Sequence, residues 1–245
     1  MNSLCAIFMI AILLPATTLL GGCAGAHSPG DPLEPLNRSV YRFNDAVDKA
    51  VLKPIAQGYD TVMPKLGKIA VSNFISNLDD VLVTINDLLQ LKFAQAASDG
   101  TRFLINSTFG LGGFINVAHR LEKHNEDFGQ TLGYWGIGSG PYLILPFLGP
   151  SSVRDAGGLY ADTLGSVPGR IEDIPTRNKY YLGNLIHRRS ALLDQEEILD
   201  EAAIDRYALI RDSYLMYRKN LVYDGNPPRA NYDEFDEEDD DAAAK

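Results

Sequence analysis

Residues 66–91 read LGKIAVSNFISNLDDVLVTINDLLQL. Apolar side chains recur at Ile69, Ala70, Phe74, Leu78, Val81, Leu82, Ile85, Leu88 and Leu89, mostly in steps of three and four. That is the period of an α-helix. Polar Asn73, Asn77, Asp80 and Asp87 fall between them. The stretch predicts one long amphipathic helix from Leu66 to Leu91, with its apolar stripe turned to a core.

The flanking sequence repeats the pattern. Upstream, Asp31-Pro32-Leu33-Glu34 reads as a helix start: Asp as the cap, Pro in the first turn, Glu closing a capping box. Leu36, Val40, Phe43, Val47 and Ala50 follow in steps of four, three, four and three, so a helix is predicted that ends near Lys53-Pro54. Downstream, Phe93 to Ser107 reads as a third helix, carrying Ala96, Ala97, Phe103 and Leu104. Leu192 to Tyr217 reads as a further one, with Leu199, Ala202, Ala203, Ile210 and Tyr214 between, stopped by Asp224-Gly225-Asn226-Pro227-Pro228. Gly129 to Gly169 differs. Ten of the 22 glycines and four of the 13 prolines fall there, which argues against long regular helix. Inside it, GPYLILPFLGP (140–150) is apolar but too short and too broken to span a bilayer. It reads either as a buried turn-rich core or as an interfacial segment. The expected fold class is mainly α, a single domain over 31–223.

Charge is unevenly spread over the 245 residues. The formal net charge is −10. Residues 231–245 hold eight acids and one Lys, which is −7, leaving −3 for the rest. That acidic end (224–245) is expected to be a disordered tail. A near-neutral body has no basic field for nucleic acid.

The amino terminus carries the clearest signal. Leu4 to Leu14 is an eleven-residue apolar run, the length of a secretory leader's core rather than of a membrane span. Leu20-Gly21-Gly22-Cys23 follows. It resembles the bacterial lipobox, with cleavage after Gly22 and lipid on Cys23. This divides the chain into a signal peptide (1–22), a lipidated tether (23–30) and the body. Met1-Asn2-Ser3 departs from the usual pattern, having no basic residue. Cys5 would leave with the leader, so the mature chain keeps Cys23 alone and no internal disulfide forms. Three acyl chains, at about 0.8 kcal/mol per buried CH₂, anchor a protein stably. Ala24, where many inner-membrane lipoproteins carry Asp, points by resemblance to the outer membrane.

Enzymatic motifs are missing. No Ser has Gly at both −2 and +2, Gly110-Leu-Gly112-Gly113-Phe-Ile115 lacks the last Gly of a dinucleotide loop, and no Gly-Lys-Ser/Thr occurs. His119 and His124 stand near Glu122 and Glu126, but five-residue spacing does not align two imidazoles on one helical face. Arg120 to Asp127 reads as a solvated charged loop, and Arg154-Asp155 as a local ion pair.

A family resemblance runs through these residues. Asp31-Pro32-Leu33-Glu34, Asn37-Arg38, Tyr41, Phe43-Asn44, Ser72-Asn73-Phe74, Asn77-Leu78, Asn86 and Leu89-Gln90 carry its first part. Arg102-Phe103, Asn106, Gly110, Gly112-Gly113, Asp127-Phe128-Gly129-Gln130-Thr131-Leu132-Gly133 and Gly136 continue it. Gly140-Pro141-Tyr142, Leu145-Pro146, Arg154-Asp155 and Gly158 complete it. Over 31–162 the chain resembles the VacJ/MlaA family of outer-membrane lipoproteins.

The resemblance implies a helical ring in the inner leaflet of the outer membrane, with an amphipathic channel. It implies removal of mislocalised glycerophospholipids from the outer leaflet and delivery to a periplasmic carrier protein that serves an ABC transporter. A trimeric porin is the implied partner. No catalysis and no cofactor follow from it, only the acyl and diacylglyceryl lipid on Cys23. Candidate channel or motif residues are Phe43, Asn44, Asn73, Phe74, Gly140, Pro141, Tyr142 and Pro146, with 133–150 lining or gating the channel. Gly110, Gly112 and Gly113 are expected to serve a tight turn between helices. Two other readings stand beside transport: a structural lipoprotein that organises porins or the envelope, and a lipid hydrolase with an unrecognised site.

Overall fold

The computed structural model describes residues 31–196 and 204–228. Gly22, Cys23, the tether to Gly30 and the acidic residues beyond 228 lie outside the described residues. Among the described residues the chain is mainly helical, with one two-stranded hairpin.

Helix α1 spans Glu34–Val47, a π turn spans Asp48–Leu52 and α2 spans Lys53–Val62. The three are continuous, so the helix expected to stop at Lys53-Pro54 runs on past it. Proline has no N–H to give a preceding carbonyl. The chain widens ahead of it into the π turn, where Lys53 N–H bonds the Asp48 carbonyl. Asp31 also departs from expectation. It is fully buried, and instead of capping a helix with Glu34 it accepts from Leu33 N–H and from Asn37 Nδ2. Glu34 pairs with Arg38 instead.

Helix α3 spans Lys65–Leu89 and α4 Phe93–Phe109, joined through Leu91 at a positive φ of 62°. They pack along each other. Helix α5 (Phe128–Tyr134) precedes the hairpin of β1 (Tyr142–Leu145) and β2 (Gly149–Ser152), paired antiparallel from Tyr142↔Ser152 to Leu145↔Gly149. Segment 140–150 is thus this hairpin. Tyr142 and Ile144 are buried, while Phe147 and Leu148 at its tip are exposed.

Helix α6 (Val153–Gly165) follows, thirteen residues long within the region expected to lack regular helix. The glycines there permit close crossing rather than breaking the helix. A Cβ on Gly158 would lie 2.4 Å from the Gly129 nitrogen, so α5 and α6 touch backbone to backbone. Helix α7 (Ile174–Ser190), unpredicted, starts on Asp173, whose carboxylate accepts from Thr176 N–H. Of the helix expected over Leu192–Tyr217, residues 197–203 lie outside the described residues, a bend falls at Ile204-Asp205, and helix α8 (Arg206–Val222) carries the later part five residues beyond the expected end. Asp205 caps it, accepting from Tyr207 and Ala208 N–H, and it ends where Asp224 and Gly225 turn to positive φ.

The contacts close on themselves. The far end of the α1–α2 arm packs on α7, α7 on α3, α3 on α5, α5 on α8, α8 on β2, and β1 back on α1. That circuit is ring-like, in keeping with the expected arrangement.

The orientation of the helices is the reverse of that expected. On α3 the buried residues are Ile75, Asn77, Asp80, Val83, Asn86 and Asp87, while Ile69, Ile85, Leu88 and Leu89 face outward. Helix α4 buries Ala96, Asp99, Arg102 and Asn106 and exposes Phe93, Leu104 and Phe109. Helix α1 buries Asn37 and exposes Leu36 and Phe43. Among the described residues eighteen polar or charged side chains are buried against eight hydrophobic ones. The apolar stripes therefore do not form the core. The main apolar cluster is small: Tyr142, Ile144 and Tyr207, with Val40, Tyr41, Tyr214 and Leu215 against it.

Asn37 shows what an inward polar residue does. Its Nδ2 donates to the Tyr142 carbonyl and to Asp31, both at 3.0 Å, and its Oδ1 accepts from Ile144 N–H at 2.9 Å. An apolar replacement strands three buried partners. Asn37→Leu is expected to lower stability by about 2–4 kcal/mol, read by thermal or denaturant unfolding in detergent; an unchanged midpoint contradicts the assigned role.

Candidate functional site

Six of the eight candidate residues converge where α1 meets the hairpin. Asn37 and Asn44 lie seven residues apart on α1, two turns or about 10.5 Å. Asn44 Nδ2 donates to the Leu145 carbonyl and its Oδ1 accepts from Phe147 N–H, both at 2.9 Å. Tyr142 and Leu145 stand three residue steps apart along β1, about 10 Å. Asn37 thus occupies the free edge of β1 at Tyr142 and Ile144, and Asn44 fixes the tip of the hairpin. Phe43 meets Phe147 edge-on, with ring centroids 5.3 Å apart. Gly140 (φ 66°) turns the chain into Pro141 and β1, and Pro146 starts the tip. Tyr142 packs edge-on against Tyr207 and tilted against Tyr214. Burial pushes its phenol up.

Asn73 and Phe74 lie elsewhere, on α3 against the loop after α4. Asn73 donates to the Phe114 carbonyl at 3.2 Å, and Phe74 stacks on Phe114 with centroids 4.7 Å apart and planes 12° apart. Leu111, Gly112 and Gly113 all take positive φ there, the tight turn expected of the glycines. A Cβ on Gly113 would meet Asn77 at 2.6–2.8 Å.

Sequence reasoning missed the ionic interior between α3, α4 and the chain leading to α5. Arg120 to Asp127 is a solvated loop only in part: Arg120, Glu122 and Asn125 are exposed, and the others turn inward. Lys123 reaches Asp80 at 2.6 Å and Ser76, His124 Nδ1 meets Asp99 at 2.6 Å, and buried Glu126 bonds Gln90 at 2.7 Å and Lys92 at 2.9 Å. Arg102 donates to the Ala118 and Leu121 carbonyls. Burial raises Asp80 and Glu126 even beside these cations. The signal available was the recurrence of Asn73, Asn77, Asp80 and Asp87 at helical spacing, as regular as the apolar stripe.

A second network holds α8. Arg218 bonds Asp127 at 2.5 and 2.9 Å and Asp155 at 2.9 and 3.0 Å, while Tyr214 donates to Asp155 at 2.8 Å. Burial alone would raise both acids; the Arg218 guanidinium outweighs it and holds them below the usual carboxylate range. Asp127 also caps α5 through Gln130 N–H. The expected local pair Arg154–Asp155 exists, at 2.8 Å, as one edge of this larger network.

No cluster among the described residues could hold a metal ion. One acid stands apart. Asp87 is fully buried, and neither carboxylate oxygen has a hydrogen-bond partner. Burial, then the charges of Asp99 and Glu126, push it up to about 7. An acid whose folded pKa lies above its unfolded value weakens the fold as pH climbs from about 4 to 7, and the penalty persists above that. Asp87→Asn is therefore expected to melt several degrees above the parent at pH 8 and level with it at pH 4. Parallel melting curves at both pH values in detergent check this, and equal midpoints at pH 8 would contradict it.

The comparisons agree with the architecture. A family model described as MlaA lipoprotein matches residues 29–221. The intermembrane phospholipid transport system lipoprotein MlaA of Shigella flexneri is 36% identical over 228 residues, 88% of this chain and 89% of the relative. That of Haemophilus influenzae (strain ATCC 51907 / DSM 11121 / KW20 / Rd) is 31% identical over 229 residues, 89% and 91%. A solved structure described as the structural basis for maintenance of bacterial outer membrane lipid asymmetry superposes with a TM-score of 0.70 at 31% identity, covering 78% of this chain and 98% of that one. The chain belongs to the MlaA lipoprotein family.

Proposed function

We propose that this protein is a phospholipid-transport lipoprotein of the outer membrane, taking mislocalised glycerophospholipids from the outer leaflet and maintaining lipid asymmetry. The observation that carries this is the inverted polarity of its helices. Residues such as Leu66, Leu104 and Phe109 are 81%, 63% and 73% exposed. Apolar surface on this scale is costly in water and free of cost in hydrocarbon. No helix among the described residues is long and apolar enough to cross a membrane. A body immersed in one leaflet fits both facts, held there by acyl chains on Cys23.

The physical task is to move a charged headgroup past acyl chains. Dragging it through hydrocarbon costs several kcal/mol or more. A closed circuit of helices offers that headgroup a passage beside protein while lipid tails stay on the exposed apolar side. The finer assignments follow the family: a trimeric porin as the neighbour in the membrane, and a soluble periplasmic carrier as the acceptor. The family is one of transport lipoproteins rather than a known enzyme family. We read the protein as non-catalytic and without a cofactor. The structural reading, porin or envelope organisation alone, leaves unused the phospholipid-transport character of the family.

The test is complementation of a deletion strain, scored by outer-leaflet phospholipid and detergent sensitivity. The parent gene is expected to restore both. Leu104→Lys, harmless at an exposed site in water, costs about 2.5–3.5 kcal/mol at mid-bilayer depth and is expected to fail. Cys23→Ser is expected to fail as well. Deletion that leaves outer-leaflet composition unchanged removes the transport reading.

A further inference from the structure

Between α1 and the start of α8 lie two contiguous clefts that share Tyr41 and Arg206. The outer one, about 470 Å³, is lined by Arg38, Arg42 and Arg206 with Tyr207 behind. The inner one, about 180 Å³, runs to Ile144, Pro150 and Ile210. The outer end is cationic with Asp205 beside it, and the inner end sets apolar Ile144, Pro150 and Ile210 beside Asn44, Asp45 and Asp48.

The charges at the two ends differ in how far they are already committed. Arg38 lies 4.3 Å over the Tyr207 ring and is held by Glu34 at 2.7 Å and by both oxygens of Asp205. Asp205 is thereby neutralised. Asp45 and Asp48, at the inner end, are engaged by Lys49 at 2.8 Å and by Arg189 at 2.7 and 2.8 Å. Arg206 lies 3.9 Å from Glu196, which Arg189 and Lys53 already hold. Arg42 differs: it is exposed, its guanidinium donates to Ser39 Oγ at 3.4 Å, and it forms no ion pair among the described residues. A planar guanidinium with donors to spare is the side chain that best matches a phosphate's oxygens.

We infer that this cleft is a glycerophospholipid headgroup site, with Arg42 bonding the phosphodiester and the Ile144–Pro150–Ile210 end receiving the first carbons of the acyl chains. The assignment rests on the phospholipid reading above and adds a place and a ligating residue to it. Free phosphate shares the anionic chemistry but has nothing to set against the apolar end.

The experiment titrates the full lipidated protein in non-ionic detergent with dihexanoylphosphatidylglycerol and, separately, with glycerol 3-phosphate, followed by phosphorus NMR. The parent is expected to bind the lipid more tightly than glycerol 3-phosphate. Arg42→Glu is expected to weaken lipid binding about tenfold or more, the loss of one charge-assisted hydrogen bond, and Arg42→Lys much less. Ile210→Ser is expected to weaken the lipid while leaving glycerol 3-phosphate unchanged. Arg120→Glu, an exposed charge reversal on another loop, is expected to change neither. Melting curves matching the parent confirm that each variant folds. Equal affinity for the two ligands overturns the acyl end of the proposal. Lipid binding unaffected by Arg42→Glu, or weakened as much by Arg120→Glu, overturns the site but leaves the transport reading standing. A parent that binds no phospholipid overturns both.

Discussion

Buried charge is stable only when its partner is buried with it, and the ionic networks of this structure meet that condition where Asp87 does not. Arg218 between Asp127 and Asp155 joins α8 to α5 and α6. Glu126 between Gln90 and Lys92, Lys123 on Asp80 and His124 on Asp99 strap the chain after α4 across α3 and α4. Each link is directional, unlike apolar packing. Desolvation charges several kcal/mol per ion, so these pairs fix geometry more than they add net stability. Removing one partner from such a pair is far worse than never having had it.

The outward apolar faces complete the same logic. In a water-soluble body the hydrophobic effect would drive Leu88, Leu104 and Phe109 together and push Asp80 and Asp99 out. In hydrocarbon that drive vanishes between helices, and the polar groups become the ones that must hide. Helices suit either medium, because their backbone groups are satisfied within the segment. The hairpin does not, and α1 supplies Asn37 at its free edge and Asn44 at its tip in place of a strand.

Much of the helical layout was legible in the sequence. The apolar period located α3 and α4 to within two residues, because both are long and regular. What periodicity cannot encode is which face turns inward, since apolar and polar stripes have the same period. That decision belongs to the surrounding medium. The glycines at 129 and 158 misled for a related reason: a breaker in an isolated helix is a contact surface where two helices cross. Pro54 misled because a π turn absorbed it. Of the candidate residues, Phe43, Asn44 and the 140–146 segment meet in space, though more than ninety residues apart, while Asn73 and Phe74 serve a different loop. The carboxylate and guanidinium networks were hidden because their members lie up to 167 residues apart and no short motif marks them.

The paired amides of Asn37 and Asn44 carry a mechanical consequence. They meet the strand edge and the hairpin tip only in one register. A helical residue advances about 100° in azimuth and 1.5 Å in height, so any screw motion of α1 disengages both amides together rather than one at a time. The arm and the hairpin therefore behave as a toothed rack and its wheel: they stay meshed and travel as one piece, or they part completely.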